Sequence, residues 1–312
     1  MSAVPARAAE NVGGRGAKRR RASPLEREGT LAYLLMTPGG LVLLLFMAYP
    51  FLLGLWLSLT DKFAGWPDYE YVGLFNFRWL WSDPIFRKTV ENTFTYGVLT
   101  VPFKLLLGLG LALLLNQQFR FVRYLRAGLL LPWIVPTAIS ALAWLMIFDP
   151  VLSPVSLVLI DWGIIDDNIN FLGDRANALA SVCLANIWRG IPFFAVTILA
   201  GLQAVPDELH EAAALDGAGS VQRFFSVTLP VIRNIVLIAT LFSIIWTFAD
   251  FQLIYVLTKG GPANGTHIFG TFAYDIGMEA GDIGQAAAVS LYMFPPLTLL
   301  AILLLRFVRS ED

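Results

Sequence analysis

The 312-residue chain is 57% hydrophobic and only 14% charged, with a mean hydropathy of +0.66. Soluble domains carry roughly 25% charged residues, so an ordinary soluble enzyme is excluded and an integral membrane protein is indicated. The net charge of -1 gives no argument for a nucleic-acid partner, and the one cysteine, Cys183, allows neither an intrachain disulfide nor a Cys-based metal cluster.

Residues 1–29 are polar and Arg-rich, with no apolar stretch of the kind a cleavable signal peptide needs. "GRGAKRRRAS" is expected to be a disordered cytoplasmic tail held near anionic lipid, in preference to a nucleic-acid patch. A helix needs about 20 mostly apolar residues to cross a bilayer. Six stretches meet that, at 31–59, 92–115, 128–148, 178–202, 231–249 and 285–307. The expectation is an all-α polytopic domain over 30–310 with six transmembrane helices. Pro38, Pro50, Pro102, Pro136 and Pro192 interrupt the runs and are tolerated where neighbouring helices re-satisfy the backbone.

Lys and Arg placement sets the orientation. Arg120, Arg123 and Arg126 mark the second connection as cytoplasmic with the tail. Asp149, Asp161, Asp166, Asp167 and Asp174, against the single Arg175, mark 149–177 as external. With an even number of spans both termini are then cytoplasmic. The outer acids lack calcium-loop spacing and are expected to be solvated. Trp66, Tyr69, Tyr71, Phe75, Phe77, Trp79 and Trp81, after the first span, read as an interfacial belt with an amphipathic outer piece rather than a sugar-stacking surface.

Two cations fall inside spans, where a charge is costly by roughly 3 kcal/mol and marks a pathway or a buried pair. Lys104 is either a polar lining group of a translocation path or a snorkelling or paired side chain; Arg189 is expected to be a structural pair or interfacial anchor in preference to a substrate contact. His210 and His267, the two histidines, are read as polar loop residues, not a metal or catalytic centre. No cofactor site, catalytic set or G-x-x-x-x-G-K-[ST] loop is found, so ATP, if used, is hydrolysed by a separate subunit.

The loop 203–230 is acidic although parity places it inside. Pro206, Asp207 and Glu208 suit a helix start, and Ala212 to Leu215 continue it. Gly217 and Gly219 are expected to stop it through left-handed backbone, and Ser220 to cap a second short helix carrying Phe224 and Phe225. Such a helix, turn, helix loop suits docking into a partner's groove.

Glu211-Ala212-Ala213, Gly217 six residues after the glutamate, Val227 (where isoleucine is usual), Leu229 and Pro230 resemble the EAA motif of permease subunits of ATP-binding-cassette importers. "AYPFLLGLWLSLTD", "LLLPWIVPTAISALAW", "FADFQLIYVLTKGGPANGT" and "GQAAAVS" are similar to the carbohydrate-importing branch, to its maltose-type and glycerol-phosphate-type first permease, with Lys259 where glycine is usual. The resemblance implies the six-helix permease fold and an inner-membrane subunit forming half of a path for a carbohydrate. Its partners would be two ATPase subunits, a second homologous permease and an extracytoplasmic binding protein. It also implies that Glu211, Ala212, Ala213, Asp216, Gly217, Phe224, Phe225, Leu229 and Pro230 form the ATPase-coupling element. Lys104, Asp250, Gly260, Gly261 and Pro262 are the candidates for the path or its outer gate, and an ordinary loop turn remains open for 260–262. An ion-coupled carrier, which would keep an ionisable relay and repeated halves, and a membrane-embedded enzyme are the other classes the residues allow.

Overall fold

The computed structural model describes residues 28–309; the expected basic tail lies almost wholly outside them. The chain divides into two units, up to Leu53 and from Gly54. The helix α1, Ala32–Leu57, is apolar throughout. It widens into a single π turn at Leu44–Ala48, where the N–H of Tyr49 reaches Leu44 O, immediately before Pro50. Proline lacks an N–H and its ring presses on the carbonyl four residues back; one wide turn moves that carbonyl aside and leaves the helix continuous.

From Gly54 onward the helices are α2 (Phe75–Ser82), α3 (Pro84–Leu115), α4 (Val122–Ile134), α5 (Thr137–Ile147), α6 (Pro154–Asp161), α7 (Arg175–Gln203), α8 (Asp207–Leu215), α9 (Ser220–Phe248), α10 (Gln252–Leu257), α11 (Phe269–Tyr274) and α12 (Ile283–Phe307). Five of the described helices, α1, α3, α7, α9 and α12, are individually long and apolar enough to cross a membrane. The third expected span is broken: α4 and α5 meet at 95° and complete a sixth span only when taken together. Val135, preceding Pro136, is extended at φ -64° and ψ 127°. A residue before proline is pushed out of helical backbone, which makes this a break and not a kink.

α3 and α7 form the centre, and α9 packs against both. At Gly108 a Cβ would stand 2.4 Å from Phe194 Cβ and 3.1 Å from the Ala195 nitrogen, so α3 and α7 touch backbone to backbone. Small residues permit that approach where lipid supplies no hydrophobic drive between helices. Around it Val101, Ala112, Ile198, Leu202 and Ile232 form an aliphatic cluster with Phe194. Elsewhere Tyr96, Ala141, Val182, Leu253 and Ile254 tie α5 and α10 to the central pair.

The pieces expected to be external are more structured than the sequence suggested. α3 begins at Pro84, eight residues before the expected start, capped by Asp83 Oδ1 accepting from Ile85 N at 2.9 Å. Phe77 and Trp81 of α2 pack against Tyr292, whose hydroxyl donates to Phe77 O at 2.8 Å, while Trp66 and Tyr71 stay exposed. Two of the outer acids do more than face water. Asp174 caps α7 by accepting from Ala176 N and Asn177 N. Asp149 accepts from Val151 N and Leu152 N, and those two donors hold its carboxyl below the usual range.

Candidate functional site

A cavity of about 500 Å³ opens beside the central helices, lined from α3 by Lys104, from α4 by Trp133, from α7 by Asn186, Arg189 and Phe193, and from α9 by Trp246 and Thr247. Asp250 and Phe251, just beyond α9, complete the wall. The aromatic side is a stacked group. Trp133 lies 5.3 Å from Phe193 with planes 14° apart, and Trp246 stands edge-on to both at 5.7 and 4.9 Å.

Opposite this lies a polar side. Asp250 Oδ2 accepts from the Tyr96 hydroxyl and from Asn186 Nδ2, each at 2.8 Å. Lys104 is buried, and its Nζ donates to Thr247 Oγ1 at 2.9 Å; that hydroxyl in turn donates to Ser243 O at 2.6 Å. A Cβ at Gly190 would fall 2.5 Å from Lys104 Cδ, so the lysine stem lies flat over a glycine left open for it. Lys104 and Asp250 are thus brought together on one cavity. Arg189 was expected to be paired or interfacial; instead it lines the cavity, and its buried Nε has no hydrogen-bond partner. The hydrogen bonds given to the Asp250 carboxylate come from two neutral donors, both to Oδ2.

Gly260, Gly261 and Pro262 are not among the cavity-lining residues. They sit in a turn closed by Gly261 N to Thr258 O (2.8 Å), Thr266 N to Gly260 O (2.9 Å) and Thr266 Oγ1 to Gly261 O (2.6 Å). Gly260 is left-handed at φ 86°, and a Cβ there would stand 2.1 Å from the His267 ring. His267 lies in the loop as expected but is buried against the turn, and burial lowers its pKa. Lys259 takes φ 50°, a conformation glycine adopts at lower cost.

In the loop 203–230, α8 carries Asp207 and Glu208 in its first turn and ends at Asp216. Gly217, at φ 84°, reverses the chain while its N–H donates to Ala214 O and that of Ala218 to Ala213 O. Two details depart from expectation. Gly219 is not left-handed (φ -69°) and is itself the N-cap residue of α9, so Ser220 is inside the helix and caps nothing. The second short helix is not separate: α9 runs unbroken from Ser220 to Phe248. It does so through a π turn at Phe224–Thr228, directly before Leu229 and Pro230, the same device seen at Pro50. Glu211 lies mid-helix. It is exposed, as are Ala212, Asp216, Gly217, Phe225 and Pro230, whereas Ala213, Phe224 and Leu229 are half-buried.

Residues 104–310 match the family model described as the inner membrane component of binding-protein-dependent transport systems. The chain belongs to that family. The permease is 34% identical over 295 residues to the sulfoquinovosyl glycerol transport system permease protein SmoG of Agrobacterium fabrum, covering 90% of this chain and 91% of the relative. It is also 34% identical over 268 residues to the trehalose/maltose transport system permease protein MalF of Thermococcus litoralis (86% and 90% covered). Its fold matches the crystal structure of a bacterial ABC transporter involved in import of the acidic polysaccharide alginate, with a TM-score of 0.78 at 21% identity over 91% of this chain and 96% of that one. The permease is thus a multi-pass inner-membrane transport subunit and not itself an enzyme. As the inner membrane component of a binding-protein-dependent transport system, it works with a binding protein.

Trp133, Asn186, Phe193, Trp246 and Thr247 were not singled out by sequence reasoning. They come from three helices far apart in the chain, and each by itself reads as ordinary span composition. Arg189 carried a signal, a cation at membrane depth, but its setting depends on what the neighbouring helices bring to it.

Proposed function

We propose that the permease forms half of the path for a carbohydrate delivered by its binding protein, paired with a second homologous permease and driven by two ATPase subunits. The cavity is the observation that carries this reading: flat aromatic faces suit the C–H faces of a pyranose ring, and the polar groups opposite suit its hydroxyls. The names of SmoG and MalF, both tied to sugar-containing solutes, point the same way.

In this reading residues 30–310 are the permease domain, 1–29 a cytoplasmic tail, and both termini are cytoplasmic. Lys104 and Asp250 belong to the path, and Gly260, Gly261 and Pro262 to its outer gate. Glu211, Ala212, Ala213, Asp216, Gly217, Phe224, Phe225, Leu229 and Pro230 meet an ATPase. Exposed Leu215, Val221 and Phe225 give that surface apolar area beside acidic Asp207, Glu208 and Glu211. Closure of the ATPases moves this element and switches the cavity between the two sides of the membrane.

The test is uptake into proteoliposomes holding the complete complex, with binding protein outside and ATP inside. Uptake of a carbohydrate that requires ATP and survives an uncoupler supports the reading. Uptake that follows an ion gradient without ATP overturns it.

A further inference from the structure

The cavity's charge is unbalanced. Lys104 and Arg189 are both on its wall, and the one carboxylate there is Asp250. Asp250 Oδ2 already accepts from Tyr96 and Asn186, and neither cation comes within the 4.0 Å of an ion pair with it. Lys104 directs one of its three donors to Thr247. Arg189 Nε, buried and aimed at no acceptor, has none. The lysine stem crosses Gly190, the residue next to Arg189, so the two cations serve the same part of the cavity. An unpaired cation at membrane depth is costly, and it is kept where something else supplies the anion.

We propose that the permease cavity receives carbohydrates bearing an anionic substituent, a carboxylate, sulfonate or phosphate, with Arg189 and Lys104 taking the charged group while Trp133 and Trp246 hold the ring. Guanidinium presents parallel N–H donors that match the paired oxygens of all three groups, and the ammonium adds a second, movable donor. The free Oδ1 of Asn186, buried and without a partner, is left to accept from a ring hydroxyl. This rests on the carbohydrate reading above and narrows it.

The experiment is equilibrium dialysis of radiolabelled methyl glucoside, methyl glucuronide and the 6-sulfonate and 6-phosphate of methyl glucoside against the purified permease–ATPase complex. ATP-driven uptake of the same four is followed in proteoliposomes. The charged members are expected to be retained at least about tenfold more tightly than methyl glucoside. Arg189→Gln should cut that preference by about tenfold, bringing the charged members close to methyl glucoside, in line with loss of a charged hydrogen bond. Arg189→Lys, which keeps the charge but loses the paired donors, should retain an intermediate preference, separating charge recognition from a merely misfolded variant. The order among the three charged members tells which anion the site fits. Methyl glucoside bound as tightly as the charged members, or a preference untouched by Arg189→Gln, overturns the inference and leaves the carbohydrate reading standing. Inorganic sulfate competing as well as the sulfonated sugar overturns it as well, since the site then reads an anion alone. Retention of none, with no ATP-driven uptake of any carbohydrate, overturns both.

Discussion

The Tyr96 hydroxyl of α3 donates to Asp250 Oδ2 at 2.8 Å, joining residues 154 positions apart at the point where α9 has just ended. Tyr96 is fully buried and Asp250 nearly so, and Asn186 of α7 donates to the same oxygen. One carboxylate thus fixes three segments around the cavity.

That arrangement predicts an asymmetric mutational response. Asp250→Ala strands two buried donors and should destabilise the permease by about 2–4 kcal/mol, whereas Tyr96→Phe removes one donor and should cost about 1.5–3 kcal/mol. Thermal unfolding of the detergent-solubilised complex measures both. Wild-type stability for Asp250→Ala would show that the carboxylate does not anchor these segments.

The proposed orientation is open to labelling. Cysteines engineered at Asp166 and Asn264 should react with a membrane-impermeant thiol reagent in cells whose outer barrier is open, and one at Ser220 should not. The native Cys183 is buried and gives little background. Reaction at 220 with protection at 166 reverses the topology.

Gly217 and Glu211 should fail differently from a structural residue. A Cβ on Gly217 would meet nothing within 4 Å, so any substitution there is opposed by its φ of 84° alone. Gly217→Ala should therefore uncouple ATP hydrolysis from transport nearly as much as Gly217→Val, at a local cost of about 1–2 kcal/mol, while Gly217→Asn is better tolerated. Glu211→Lys should leave unfolding unchanged and weaken ATPase attachment. Normal coupled transport in all of these would mean that the loop only links two helices.

At the outer turn, two neighbouring positions should respond in opposite directions. Lys259→Gly relieves a left-handed lysine and should be neutral or stabilise by up to about 1 kcal/mol. Gly260→Val combines a φ of 86° with collision against the His267 ring and should destabilise the turn and depress substrate-stimulated ATP hydrolysis. Equal behaviour of the two variants would contradict the turn geometry described.

Much of this fold was legible because a membrane span announces itself as one contiguous apolar run. Pro50 and Pro230 were readable as interruptions, but that each is absorbed by a π turn was not, since the wide turn leaves no mark in residue type. Pro136 was read as a tolerated breaker; the extended Val135 before it was equally readable and would have warned of the broken span. The turn after α8 was found at Gly217, where only backbone conformation matters and a local motif is enough. The cavity was glimpsed through Lys104 and Asp250, since charge stands out in an apolar chain. Its aromatic half was hidden, because Trp133, Phe193 and Trp246 meet through helix packing and their spacing in the chain carries no trace of it.

The continuity of α9 has a mechanical consequence. Its 29 residues make a rod about 43 Å long at 1.5 Å per residue, with Phe225 near one end and Trp246 and Thr247 near the other. On the proposed coupling, such a rod would work as a crankshaft: a twist applied by a partner at Phe225 would arrive at the cavity wall as a swing of Trp246 against Trp133 and a pull on the Lys104 hydrogen bond. Phase then matters as much as contact. One alanine inserted between Ile235 and Val236 would offset the two ends by about 100° while leaving both surfaces chemically intact. ATP hydrolysis should continue and transport should stop, and adding residues until a whole turn is restored should bring transport back.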